Sequence, residues 1–133
     1  MIRPASLRFD WPWVKLLIGR VIEKTGEPWW PEDVYAAVSS GKAAMWVSDE
    51  PPGVMVAYAD KEAWSQDPTL HVWVMACDDM AMLEREGYVV LEDAARRIGA
   101  KKLVMDSPRP GWQRRGWRVS KFNYERACDA PRT

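Results

Sequence analysis

A chain of 133 residues is one domain by length, large enough to bury a core without disulfide or metal staples. Its 19 Lys/Arg balance 19 Asp/Glu, and two cysteines make neither a disulfide framework nor a paired-cysteine metal site, so no metal is expected. The neutrality hides a polarity, because residues 94–133 hold 11 Lys/Arg against 3 Asp/Glu, leaving 8 against 16 in residues 1–93. Such asymmetry can steer a charged partner, although solvated sheet edges give the same count. No apolar stretch approaches the roughly 20 residues of a membrane span, and no signal-peptide core opens the chain. A soluble protein, cytoplasmic at synthesis and without membrane insertion, is the expectation. The 9 tryptophans follow no fixed period, which makes them core or interface anchors rather than marks of a tandem repeat.

In chain order, residues 2–9 alternate weakly and predict an edge strand, since Pro4 lacks a ladder donor. Asp10-Trp11-Pro12 then reads as a helix start, with Asp10 as N-cap and proline in the first turn. Trp13, Leu16, Leu17 and Val21 share one face of that helix, and Gly26 ends it. A second short helix carries Pro31, Glu32 and Asp33 in its first turn and closes at Ser39-Ser40-Gly41. The period then changes to two. Residues 44–48 and 54–59 predict an antiparallel hairpin around Asp49-Glu50-Pro51-Pro52-Gly53.

A polar connection carrying Trp64 leads to 69–77, an apolar run rich in β-branched and aromatic side chains and too short for a helix. The spacing predicts a helix over 80–98, with Leu83, Val90, Leu91, Ala94, Ala95 and Ile98 as its core stripe and Gly99 as its stop. Residues 102–105 supply the next strand, so this stretch is a βαβ crossover with parallel strands. A short basic helical segment closes at Gly116-Trp117, and alternation over 117–127 predicts a final strand. The order β-α-α-β-β-β-α-β-α-β describes a single α/β (α+β) domain over 1–133. Its sheet is mixed, mostly antiparallel, and flanked by helices on both faces.

This order, with Met1-Ile2-Arg3-Pro4-Ala5 at the start, Gly99-Ala100-Lys101-Lys102-Leu103 after the long helix and Gly116-Trp117 near the end, resembles the GNAT (Gcn5-related N-acetyltransferase) superfamily. The resemblance covers nearly the whole chain. It implies that the strand over 70–77 splays from its neighbour to admit the pantetheine arm of acetyl-CoA. The next helix would begin with Arg/Gln-x-x-Gly-x-Gly/Ala, whose bare backbone amides bind pyrophosphate. Here the chain instead reads Ala76-Cys77-Asp78-Asp79-Met80-Ala81-Met82-Leu83-Glu84-Arg85-Glu86-Gly87, with one glycine and four acidic residues. A shifted register leaves Arg85 and Gly87 as the candidate cofactor contacts, with Tyr88 where a second glycine is wanted. The tyrosine that family members often place four residues before Gly-Phe, as acid for the departing thiolate, is Trp112.

Other catalytic sets are equally thin. His71, the sole histidine, lies in an apolar strand with no evident partner and reads as a core or sheet-face residue before it reads as a base. Asp78 and Asp79 read as N-cap residues before metal ligands, and Glu62 and Tyr58 are potential cleft residues that nothing singles out. No catalytic residue and no resident cofactor is therefore assigned. The leading expectation is a catalytically silent acetyltransferase-like domain used in binding or assembly, similar to the GNAT-like proteins that tailed phages encode among virion or internal proteins. The alternative is an active N-acyltransferase using acetyl-CoA through an atypical loop. For the silent domain, a protein partner or a homo-oligomer is expected to meet Trp112, Arg114, Arg115, Trp117 and Arg118, because arginine with tryptophan dominates interface energetics. Nucleic-acid binding through Arg96, Arg97, Lys101, Lys102, Arg109, Arg114, Arg115 and Arg118 ranks lower, since the acidic remainder repels a long duplex. The most informative feature is whether the cleft between the strands over 54–59 and 70–77 is open or filled by tryptophan and methionine.

Overall fold

The period-two runs become the sheet of the computed structural model, which describes residues 1–107, 111–121 and 124–128. Strands β2 (Ala43–Ser48), β3 (Gly53–Lys61) and β4 (Pro68–Cys77) pair antiparallel in sequence order. The edge strand β1 (Ile2–Pro4) adds antiparallel to β2, and β5 (Leu103–Val104) adds parallel to β4, giving the order β1-β2-β3-β4-β5. The crossover between β4 and β5 is made by helix α3 (Met80–Arg97), as the βαβ reading requires.

Alternation sorts the side chains of β3 between two cores. Val54, Val56 and Tyr58 face helices α1 (Leu7–Thr25) and α2 (Pro31–Ser39), where they meet Val14, Ile18 and Val34. Met55 and Ala57 face α3, where they meet Leu83, Leu91 and Ala95. Of the predicted α3 stripe, Leu83, Leu91 and Ala95 are buried and Val90 and Ala94 half-buried, whereas Ile98 falls beyond the last turn and is exposed. Two further residues complete the face, Met82 and Gly87. A Cβ at Gly87 would stand 2.5 Å from Met55 Sδ, so the missing side chain is what lets α3 close onto β3.

Two boundaries differ from expectation for physical reasons. The first helix starts at Leu7 with Ser6 as N-cap, because Asp10 is engaged elsewhere. Its carboxylate accepts two hydrogen bonds from Arg3, at 2.9 Å each, and one from the Ser6 backbone N–H at 2.7 Å. Arg3 also donates to both oxygens of Asp49, at 2.9 and 2.8 Å, so one guanidinium joins β1, α1 and the turn after β2. The Arg3 fork holds buried Asp10 at a pKa of about 2, against an ordinary 3.8, and pushes Arg3 upward. The expected edge strand over 2–9 is correspondingly cut to three residues.

The second difference is the last strand. None of the described residues in 117–121 and 124–128 lies in a strand; residues 122 and 123 fall outside the described set. A strand needs a partner, and β5 is only two residues long. The basic helical segment is present as a 3-10 turn, Trp112–Arg115, set between Gly111 and Gly116 at φ values of 96° and 90°. Positive φ at both ends is the conformation glycine tolerates.

Candidate functional site at the open edge of β4

The two edges of β4 behave differently. Toward β3 the ladder is continuous from Gly53↔Cys77 to Lys61↔Pro68, so the expected cleft between these strands is closed by pairing. That ladder has one irregularity. Val56 pairs with Val74 and the next residue, Ala57, pairs with Val72, leaving Trp73 as an extra residue. Toward β5 the pairing is Leu70↔Leu103 and His71↔Val104 and then stops, two residues short of the bulge. Because β5 is only two residues long, the edge of β4 beyond His71 is left open, without a strand partner among the described residues, and the bulge bends β4 just past that point.

On the α1/α2 side of this opening stands an aromatic group. The bulge brings Trp73 onto the same face as Val74. The Trp73 ring meets Trp29 edge-on at 5.4 Å and Tyr58 at 5.8 Å, while His71 stacks on Tyr58 at 4.7 Å and 11°. His71 Nε2 lies 3.7 Å from a carboxylate oxygen of Asp106, just past β5. The sole histidine is thus a sheet-face residue, as read from the sequence, and its neighbours, which the sequence left unidentified, are Tyr58 and Asp106. Burial pushes the Tyr58 hydroxyl above its ordinary pKa, with Asp60 and Asp106 adding to it, so the phenol is a donor rather than a base at neutral pH. Beside it lies a groove of about 590 Å³ lined by Ala37, Lys42, Ala43, Tyr58, Ala59 and Trp73. Glu62, the other cleft residue considered, is drawn off in an ion pair with Lys102.

On the α3 side the arrangement is dominated by ties to the C-terminal segment. Asp79 caps α3 as expected, accepting the Met82 N–H at 3.0 Å. Glu84 forms an ion pair with Arg115, and Tyr88, one turn on, accepts the indole N–H of Trp117 at 2.7 Å. Trp112 donates to the Ser107 hydroxyl at 2.9 Å and meets Trp117 edge-on at 6.3 Å. Both tryptophans are half-buried and pack on the core beneath α3. A second recess, of about 480 Å³, remains between Ala81, Glu84, Gly111, Arg114 and Arg115. At the end of β4, burial pushes the Cys77 thiol upward, which keeps it from acting as a thiolate nucleophile.

These positions redistribute the residues singled out from the sequence. Arg85 is exposed while Gly87 is buried against Met55, so the shifted-register pair does not converge on one ligand. Of the five expected partner contacts, Arg114 and Arg118 are exposed, Arg115 is held by Glu84, and Trp112 and Trp117 serve the core. In the basic set Arg97 pairs with Asp93 at 2.9 Å and Lys102 with Glu62, and Arg109 lies outside the described residues. Missed altogether were the bulge at Trp73, the His71–Asp106 pair and the Glu84–Arg115 and Tyr88–Trp117 ties. Only the first pair had a usable signal, an aspartate directly after a strand that a βαβ unit must set beside the histidine's strand.

Comparison with known proteins finds no family model and no curated protein that matches the sequence. Solved structures do match in shape. A tetramutant of the BH1408 protein from Bacillus halodurans superposes with a TM-score of 0.73 at 16% identity, covering 96% of this chain and 99% of that one. A predicted acetyltransferase with acetyl-CoA from Clostridium acetobutylicum gives 0.70 at 11% identity, covering 96% and 95%. A ribosomal-protein-alanine N-acetyltransferase from Brucella melitensis biovar Abortus gives 0.66 at 16%, covering 97% and 99%. At such identities the likeness concerns the fold, and the fold of this chain is that of the GNAT-like acetyltransferases.

Proposed function

We propose that this domain keeps the acetyltransferase fold as a scaffold for binding or assembly and does not turn over acetyl-CoA. One observation carries the reading: the first two turns of α3 carry their own carboxylates, which the chain itself engages. Asp79 takes the Met82 amide, and Arg115 reaches over to Glu84 in the next turn. A pyrophosphate at a helix start needs bare amides and no fixed negative charge. Exposed Asp78 and Asp79 beside it would repel phosphate by on the order of a kcal/mol per close pair in a partly screened site. Trp112, standing where a phenol would serve as acid, offers only an indole N–H already given to Ser107. A setting among the virion or internal proteins of a tailed phage, which the sequence resemblance implies, suits such a scaffold, and co-sedimentation with particles tests it.

Thermal unfolding with and without acetyl-CoA tests the reading directly. A micromolar site held at 100 times its dissociation constant adds roughly 2.7 kcal/mol, an upward shift of several degrees in a domain of this size. No shift is expected, and mass spectrometry of the protein and of candidate amines after incubation should show acetylation at background.

A second reading, an active N-acyltransferase, is favoured by the His71–Asp106 pair beside the opening. An imidazole with a carboxylate nearby is the residue type that takes a proton from an attacking ammonium. Acetylation that depends on the protein and disappears in His71→Ala would establish this alternative and overturn the silent reading.

A further inference from the structure

The β3–β4 hairpin ends in a loop that is ordered by its own backbone and presents a tryptophan to solvent. Within it the Glu62 N–H donates to the Asp67 carbonyl at 2.8 Å, and the Gln66 N–H to the Glu62 carbonyl at 3.1 Å. The Ser65 N–H donates to the Ala63 carbonyl at 2.9 Å, and the Asp67 N–H to the Ser65 hydroxyl at 3.3 Å. The Lys102–Glu62 ion pair ties the loop's first residue to the segment entering β5. Trp64, at the tip, is 97% exposed and has a φ of 74°, with Gln66 also positive at 63°. A bulky side chain in the left-handed region is rare, and glycine or asparagine would hold this turn with less strain. Neither the backbone cost nor the exposed indole has a return among the described residues of one copy of the chain.

We propose that Trp64 is an assembly anchor that seats in the aromatic groove of a second copy of this chain. The groove is of the right chemistry: aliphatic at Ala37, Ala43 and Ala59, aromatic at Tyr58 and Trp73, and about 590 Å³ in volume, which admits an indole. Its single charged lining residue is Lys42, while the exposed charges flanking Trp64 along the hairpin are Asp60, Lys61 and Asp67, two carboxylates against one ammonium. The tip is thus net negative where the groove lining is cationic. Both also lie on one hairpin, since Tyr58 and Ala59 belong to β3 and Trp73 to β4. A two-fold axis then repeats the contact, each tip entering the other copy's groove, as closed dimers require. The bracing of the loop lowers the entropy lost on docking.

The inference rests on the assembly reading above, and the two fail separately. Sedimentation of the full chain without acetyl-CoA, across a micromolar to submillimolar series, should show a monomer–dimer equilibrium. Trp64→Gln should weaken it at least about thirtyfold, as truncation of an interface anchor does, without lowering the melting temperature. Lys42→Glu, at an exposed groove position remote from the loop, should weaken it in the same direction and covers the case in which the loop variant misfolds. A wild-type protein that stays monomeric throughout, or a folded Trp64→Gln that dimerises as tightly as wild type, overturns the inference. Acetyl transfer by a protein that still dimerises through Trp64 overturns only the silent reading.

Discussion

The two faces of the sheet are covered by different means. Over one face, α1 and α2 supply regular helices that bury Val14, Ile18 and Val34 against the sheet, with Trp11 and Trp13 packed around them. Over the other, one helix covers the sheet and an irregular segment completes the cover, held by an ion pair, an indole–phenol hydrogen bond and two half-buried tryptophans. Where two helices share the work, packing suffices and an aromatic groove is left at the β4 end. Where a short segment must substitute for regular structure, side-chain ties to Glu84 and Tyr88, in the second and third turns of α3, replace the backbone ladder it lacks.

The strongest way to break this contrast is to remove the helix that both the core and the C-terminal segment lean on. Leu91 is fully buried in the middle of α3 against the sheet. Leu91→Ala should cost about 2 to 5 kcal/mol in denaturant unfolding, the range for a buried leucine whose site cannot collapse. A loss below about 1 kcal/mol would mean that α3 does not bear the second core.

A second test uses acid, at the carboxylate that joins β1 to α1. Asp10 is buried beside Arg3, and its pKa of about 2 lies below the ordinary 3.8. As pH falls, the unfolded chain takes up this proton first. The stability contributed by Asp10 is therefore complete above about pH 4 and is lost as pH falls through 2. The difference corresponds to on the order of 2 kcal/mol. Asp10→Asn should remove that acid-dependent component of the unfolding curve, and a variant with the wild-type slope between pH 4 and 2 would sink the assignment.

How much of this was legible in the sequence follows from where each signal resides. Element order was legible because hydrophobic period is local: the stripe Leu83, Leu91, Ala95 and the alternation Val54, Val56, Tyr58 stand in the sequence itself. The cap at Asp79 was legible for the same reason. Asp10 was misplaced because two residues, Ser6 and Asp10, suit an N-cap, and only the distant Arg3 decides between them. Gly87 looked like a remnant of a phosphate loop, whereas its role is set by Met55 across the sheet. The bulge at Trp73 changes which face a side chain takes, and an apolar run carries no mark of one inserted residue. The site depends on these long-range facts, which is why the fold was readable and the site only in fragments.

A smaller effect isolates one of the ties. The Tyr88 hydroxyl accepts from Trp117, and burial raises its pKa, so the phenol stays neutral through the physiological range. Tyr88→Phe removes that oxygen alone and should cost about 0.5 to 1.5 kcal/mol, the net worth of one hydrogen bond. Faster proteolysis after residue 105 in this variant, with the rest of the chain protected, would localise the loss to the segment. Unchanged stability would mean that the tryptophans hold the segment by packing alone.

The smallest expected effect separates two adjacent arginines. Arg115 pairs with Glu84, whose side chain is 17% exposed, while Arg114, from the same 3-10 turn, lines the recess and pairs with no carboxylate among the described residues. Partly exposed pairs contribute little, so Arg115→Gln should cost no more than about 1 kcal/mol, and Arg114→Gln should lie within about 0.5 kcal/mol of wild type. The two variants differ more usefully in what they do to α3. Losing Arg115 frees the Glu84 carboxylate in the second turn of α3 and leaves its charge uncompensated. Losing Arg114 removes a cation from the recess and leaves the tie intact. If the tie is structural, only Arg115→Gln lowers the melting temperature, and raising salt narrows its difference from wild type. Equal effects from both variants would show that the charge of the segment acts as a whole, and that Glu84 and Arg115 do not form a specific contact.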